Sequence, residues 1–324
     1  MNNNYLAPIV LFVYNRPYHT RKTIEALQKN NLASESNLYI FADGSKQNAT
    51  KEQIQKVQET RDFIRTVSGF KEVIIEESQK NKGLANSVIY GVTKVINEFG
   101  KVIVVEDDII THPFFLRFMN ECLDVYEKRE DIFMIGGFNQ NFEIPSSYKQ
   151  HIYLTHRSCS WGWATWKCKW DKADWEVKEY KVLCHNKNMQ KRFNRGGNDN
   201  FSMLKMQMEG QIDSWCIRWD YSMFLHDALC VIPVNTLVNN SGFDNSGVHC
   251  SFMPNDFTAS MPDKKEYYFE LDPDIRLLKE VENNLKSFLE RKNETDTLMW
   301  KIRYYLNQVG VYFLCRRLKH LFFK

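Results

Sequence analysis

The sequence predicts an α/β protein built on a doubly wound, mainly parallel sheet, and three observations carry that reading. Short apolar runs rich in Val and Ile alternate with amphipathic stretches of helical length through the first half of the chain. These runs are apolar at nearly every position, as strands covered on both faces require. Polar, ligand-type residues follow directly after them, at the edge where open α/β sheets bind ligands. The segment Lys101-Val102-Ile103-Val104-Val105-Glu106-Asp107-Asp108 shows the pattern most sharply, an apolar run ending in three consecutive carboxylates.

Taken in order, Pro8 to Tyr14 reads as the first strand. The apolar run from Leu6 to Tyr14 lacks a basic leader and is broken by Asn15-Arg16-Pro17, so it is a strand rather than a signal peptide. Thr20 to Lys29 reads as a helix capped by Thr20, and Asn37 to Ala42 as a strand ending in Asp43-Gly44-Ser45. A helix from Lys51 to Val67 sets Ile54, Val57, Ile64 and Val67 on one face. Glu72 to Ile75 is a short strand, Leu84 to Glu98 a helix and Lys101 to Val105 a strand. Pro113 to Lys128 reads as helix, and Ile132 to Gly136 and Cys230 to Pro233 as strands. From about His151 the pattern becomes irregular and rich in Trp, Gly and Asn. Within it, the segment Asn188 to Gly210, which contains Arg195-Gly196-Gly197-Asn198-Asp199-Asn200, reads as flexible and polar, either a lid or a long surface loop.

At 324 residues, with 43% apolar and 26% charged residues, the chain can bury a large core. A net charge of +3 does not point to nucleic acid as a partner. The eight cysteines form no Cys-x-x-Cys pair and no zinc spacing, which suits reduced thiols in a cytoplasmic protein. Trp161, Trp163, Trp166, Trp170 and Trp175 cluster; such a group suits either sugar stacking or ordinary core.

The strand ends carry the chemistry. Glu106, Asp107 and Asp108 repel one another unless a cation compensates, and a hard divalent ion carrying a diphosphate is a natural match. Arg16 places a guanidinium suited to phosphate beside the first strand. Asp43 offers a carboxylate to a base N–H or a ribose hydroxyl. Asn81-Lys82-Gly83 opens a helix, a phosphate-friendly N-terminus with a cation beside it.

Together, Tyr14-Asn15-Arg16, Ala42-Asp43-Gly44-Ser45, Asn81-Lys82-Gly83 and Glu106-Asp107-Asp108 resemble a GT-A glycosyltransferase. The likeness is to the N-acetylglucosaminyltransferase I type and to bacterial polysaccharide (family 2-like) sugar transferases. It runs over roughly residues 7 to 250, through Pro113-Phe114-Phe115, Ser160-Trp161-Gly162-Trp163, Asp213-Ser214-Trp215 and Gly247-Val248-His249. The resemblance implies a GT-A fold, Rossmann-like, with a nucleotide-sugar-binding half over 1–110 and an acceptor-binding half over 111–255. A C-terminal helical region with a basic tail would follow over 256–324. It further implies that Asp108, with His249, holds Mn²⁺ or Mg²⁺ on the donor diphosphate. Glu106 and Asp107 would hold ribose and donor sugar, Asp43 would read uracil, and Arg16, Lys82 and Gly83 would meet the nucleotide. Trp161, Gly162, Trp163 and Trp215 would face the acceptor. Asp213, followed two residues later by Trp215, resembles the family's acid-Trp element and is the implied catalytic base, with Asp220 as the alternative; Ser214 interrupts the family's usual paired acid.

The implied activity is metal-dependent, inverting transfer of a hexosyl or N-acetylhexosaminyl group from a UDP-sugar to a glycan or lipid-linked acceptor in surface polysaccharide synthesis. An inactive sugar-binding or membrane scaffold protein is the alternative. A sugar-nucleotide nucleotidyltransferase fits less well, since it wants a Gly-rich loop where this chain has Asn15-Arg16-Pro17. From Trp300 to Lys324 the chain carries six Lys and Arg among aromatic and aliphatic residues and no acid. Its longest uncharged run, Tyr304 to Cys315, falls short of the roughly 20 residues that span a bilayer. The tail reads as an amphipathic helix on an anionic membrane surface, or as a terminal helix packed on the domain. The first reading places the protein in the cytoplasm, on the inner face of the cell membrane.

Overall fold

The structure is a computed structural model that describes residues 5–242, 261 and 268–290. Its centre is a mixed, mostly parallel eight-stranded sheet flanked by helices. In chain order the elements are β1 (Ile9–Val13), α1 (Pro17–Gln28), β2 (Asn37–Ala42), α2 (Lys51–Ile64), β3 (Glu72–Glu77), α3 (Leu84–Phe99), β4 (Lys101–Glu106) and β5 (Ile109–Thr111). They continue with α4 (Phe115–Val125), β6 (Ile132–Gly136), β7 (Ile152–Thr155), β8 (Trp163–Trp166), α5 (Lys167–Trp170), α6 (Tyr180–His185) and α7 (Lys187–Phe193). The rest are α8 (Asn200–Met208), α9 (Trp215–Leu225), β9 (Leu229–Pro233) and β10 (Val238–Asn240). A further helix covers 279–290.

The sheet order is β3-β2-β1-β4-β8-β6-β9-β7. β1 pairs in parallel with both β2 and β4, so the chain winds outward in both directions from β1. The crevice between the ends of β1 and β4 is the switch point at which such sheets bind ligands. β8 joins β4 to β6 antiparallel on both sides, which ends the parallel half. The pure Val/Ile/Leu/Phe composition of β1 follows from its position, since every residue of Ile9–Val13 is buried.

Helix α3 packs closely on the sheet because position 91 is glycine: a Cβ there would lie 2.7 Å from the Phe12 ring and 3.0 Å from Phe41. Gly83 at its start has φ +79° and Gly100 at its end φ +74°, left-handed conformations that favour glycine. Helix α2 opens on a capping box in which Thr50 and Gln53 satisfy each other's backbone N–H groups.

Three local expectations are corrected. Helix α1 starts at Pro17 with Arg16 at the N-cap, and Thr20 lies inside it, its hydroxyl donating to the Arg16 carbonyl at 2.9 Å. Pro17 is suited to a first helical position because its missing N–H would have no partner there. Ile54 is 50% exposed and does not join the buried face of α2. The segment from Asn188 to Gly210 is folded into α7 and α8 rather than left as a loose loop. Gly196 sits so close to the His156–Arg157 backbone that a Cβ would come within 2.8 Å of it. The Arg157 guanidinium grips the Asp199 carboxylate with two bonds of 2.8 and 2.9 Å. His249 and the tail from Trp300 to Lys324 lie outside the described residues. Among the described residues no helix is long and apolar enough to cross a membrane.

Candidate active site

A cleft of about 810 Å³ opens at the switch point. It is lined by Tyr14, Asn15 and Arg16 after β1, by Asp43 after β2, by Glu106 at the end of β4 and by Asp107 and Asp108 after it. The sheet topology brings these together because parallel neighbours end at the same edge.

The acids are held from several sides. The Thr23 hydroxyl of α1 donates to the Asp107 carbonyl at 2.8 Å. Strand β10 pairs antiparallel with β5, and beyond it the Ser241 N–H and hydroxyl both donate to the Asp108 carbonyl, at 2.8 and 3.0 Å. The Arg16 guanidinium bridges Asp107 and Asp108 at 3.2 and 2.8 Å. Arg16 thus meets the acids directly, where the sequence reading had it approach phosphates alone. The carboxyl of Glu106 is pushed up to about 8, first by burial and then by Asp108 and Asp107, against the pull of the Trp215 indole N–H and Arg16. Burial and Asp108 push Asp107 up to about 7, again against Arg16. With one guanidinium among three crowded acids, Glu106 and Asp107 hold protons near neutral pH that a bound cation would displace.

That imbalance tests the site for a cation. Among the described residues, no three or more His, Cys, Asp or Glu side chains converge as ligands. Mg²⁺ and its relatives need only one or two carboxylates when substrate phosphates complete the shell. A hard, all-oxygen, under-neutralised pair therefore fits such an ion bound together with a diphosphate.

Asp43 is spent inside the protein. Its carboxylate accepts from Gly44 N–H and Lys82 N–H at 2.9 Å, from the Asn81 amide at 2.9 Å and from Gly83 N–H at 3.1 Å. With its lone pairs so used it fastens the 81–83 turn instead of reading uracil. Asp43→Ala is accordingly expected to loosen the start of α3 and to destabilise the fold by about 1–3 kcal/mol in urea unfolding, since a part-buried set of donors is left without acceptor. The Lys82 ammonium also turns away: it lies over the Tyr90 ring at 3.7 Å and 3.9 Å from Glu76. Gly83 remains on the cleft wall at the N-terminus of α3.

The two base candidates differ in setting. Asp213 is exposed in the cleft, with Oδ2 accepting from the Ala85 N–H of α3 at 3.3 Å. A Cβ at Gly83 would sit 3.0 Å from that oxygen. Asp220 is buried, accepts from Ser158 N–H at 2.8 Å and belongs to a network with Arg157 and Asp199. Burial opposes the charge on Arg157, and Asp199 more than offsets it. Burial raises Asp220 from 3.8 to about 6 despite Arg157 and Ser158. The folded state therefore holds this proton where the unfolded chain has released it, so the residue's contribution to stability falls as pH rises from about 4 to 6. Asp220→Asn is expected to remove that slope: the Tm difference, variant minus wild type, grows over this interval and is flat above it.

The tryptophans divide. Trp161 lines the cleft, with its ring 4.4 Å from Phe138. Trp163 is fully buried, between Trp215 at 4.7 Å and Trp170 at 5.7 Å. It is core, and the expectation that it faces an acceptor is corrected: the antiparallel insertion of β8 turns it into the interior. Trp215 is 2% exposed and gives its indole N–H to Glu106, so it braces the acid rather than an acceptor. Gly162 acts through its backbone, at φ +60° with its carbonyl accepting Gly137 N–H at 2.7 Å.

Sequence reasoning missed Asn240-Ser241-Gly242. A Cβ on Gly242 would come within 2.4 Å of the Asp108 carboxylate and 2.7 Å of Arg16, so backbone closes directly over the acid cluster. The only signal was an Asn-Ser-Gly string after a short apolar run.

No curated protein matches the chain by sequence. By fold, a structure of S. aureus TarS covers 72% of this chain and 60% of its own at 10% identity and a TM-score of 0.41. The chain thus spans about 60% of the length of that protein's solved region. An active-site mutant of LgtC matches at 10% identity over 67% and 70% of the two chains, TM-score 0.35. A UDP-glucose pyrophosphorylase bound to UDP-glucose matches at 10% identity over 70% and 90%, TM-score 0.34. The model of the GNT-I family matches residues 2–181, more than half of the sequence and the part that holds β1 to β4 with the Glu-Asp-Asp cluster. On that match the chain is a member of the GNT-I family of GT-A glycosyltransferases.

Proposed function

We propose that the protein is a metal-dependent, inverting glycosyltransferase moving a hexosyl or N-acetylhexosaminyl group from a UDP-sugar to a glycan or lipid-linked acceptor of surface polysaccharide. The observation that supports it best is that two sets of carboxylates line one cleft. Three carboxylates, two of them bridged by Arg16, line that cleft together with Asp213, exposed against the start of α3.

Asp108 would hold Mn²⁺ or Mg²⁺, with His249 as a further ligand from outside the described residues. Held there with the donor, such an ion would supply charge neutralisation that makes the diphosphate a better leaving group. Arg16 neutralises part of the acid cluster and keeps Asp107 and Asp108 oriented. Glu106, braced by Trp215, faces donor sugar or ribose. Asp213 takes the proton of the acceptor hydroxyl as that oxygen bonds to the anomeric carbon and the bond from carbon to the diphosphate oxygen breaks, releasing UDP.

The test is UDP release from a panel of UDP-sugars, with Mn²⁺ and with chelator. Metal-dependent release supports the reading, whereas thermal stabilisation by UDP-sugars with no turnover would mark an inactive binding protein. Release of pyrophosphate from UTP and a sugar phosphate would mark a nucleotidyltransferase.

The same reading places the enzyme on the inner face of the cell membrane through its basic tail. Each Lys or Arg near an anionic leaflet contributes about 1 kcal/mol, and salt screens it. Full-length protein is expected to co-sediment with anionic vesicles at low salt and to be released at high salt. The chain lacking 300–324 is expected to stay in solution. If both forms stay in solution at low salt, the tail is not a membrane anchor.

A further inference from the structure

We infer that the cleft extends into an apolar subsite, walled by Met203, Met206 and Leu285, that takes an apolar group attached to the acceptor sugar. The inference rests on the transferase reading of this cleft and names a part of its acceptor.

The cleft is lined by two kinds of chemistry. Its polar lining includes Asn15, Arg16, Asp43, Gln53 and the three acids, with Arg157, Ser158 and Asp220 further along; its apolar lining includes Phe138, Trp161, Met203, Met206, Ile212 and the largely buried Leu285. Hydroxyl-rich sugars are served by hydrogen-bonding groups and aromatic faces, and Trp161 supplies such a face. Two thioethers and a leucine supply neither. Met206 is 39% exposed although it lies on the cleft wall, while Leu204 of the same helix fills the core. Methionine is flexible and polarisable, suited to aliphatic groups of variable shape.

Both walls are held in place. Asp199, just before α8, is clamped by Arg157. Helix 279–290 is tied to the end of β7 by Glu282, which meets His156 Nδ1 at 2.5 Å and its N–H at 3.3 Å, and by a bond from Asn198 to Glu290. All three wall residues lie beyond residues 2–181, so this part of the cleft lining is not part of the matched family core. Its continuity with the site of transfer places the occupant on the acceptor, next to the glycosylated sugar.

The test uses full-length protein saturated with UDP and labelled with ¹³C-methyl methionine, the Met203 and Met206 signals being assigned from Met→Leu variants. Octyl β-glucoside, kept below its micelle concentration, and methyl β-glucoside are titrated in. The two signals are expected to move with the octyl compound at least about tenfold more tightly than with the methyl compound, since each buried methylene adds affinity. Met206→Gln, at an exposed position that does not threaten folding, and Met203→Gln, at a half-buried one, are expected to remove most of that preference. UDP affinity should be unchanged in both. Equal affinity for the two glycosides, or shifts confined to other methionines, overturns the subsite. UDP binding without octyl preference overturns the subsite and leaves the transferase reading standing. Octyl preference without nucleotide binding supports the subsite and counts against the transferase.

Discussion

Asp213→Asn is expected to keep donor binding and to lose sugar transfer by roughly 10²–10⁴-fold, the usual worth of a general base. The amide is nearly isosteric, and its oxygen can still accept from Ala85 N–H, as the carboxylate does at 3.3 Å. What it cannot do is take a proton. Single-turnover transfer measured beside UDP affinity separates the two effects. Asp220→Asn is the control: this carboxylate is buried and engaged by Ser158 and the Arg157 network, so the change should alter stability more than turnover. If Asp220→Asn abolishes transfer and Asp213→Asn retains it, the assignment of the base is reversed.

Asp108→Ala is expected to abolish Mn²⁺-dependent transfer and to remove tight Mn²⁺ binding to the protein–UDP complex, read by electron paramagnetic resonance without any turnover. The fold should persist. Removing this carboxylate relieves the repulsion that helps raise Glu106 and Asp107, which offsets the loss of the 2.8 Å pair with Arg16. Tm is therefore expected to stay close to wild type. Wild-type turnover by Asp108→Ala in the presence of metal would remove the acid cluster from the donor site.

Much of the parallel part of the sheet was legible because it is written locally. β2 and β6 span the residues that their apolar composition marks, Asn37–Ala42 and Ile132–Gly136. The carboxylates after β4 lie at the sheet edge because a parallel strand buried on both faces can end in charge only where it leaves the core. The Trp-rich segment was not legible in this way. β8 contains Trp163, whose burial depends on antiparallel insertion between β4 and β6, and a Trp-rich string reads alike for core and for binding surface.

By itself, then, the sequence determined the α/β class, the order of the first strands and helices, and which strand ends carry charge, because periodicity and burial act over a few residues. Only the tertiary structure decided what those charges meet. Asp43 lies 38 positions from Asn81 and is saturated by its turn; Arg16 crosses 92 positions to Asp108; and Leu285 reaches the cleft from the far end of the described chain. A carboxylate's role depends on which donors stand within about 3 Å of it, and long-range packing alone sets that distance.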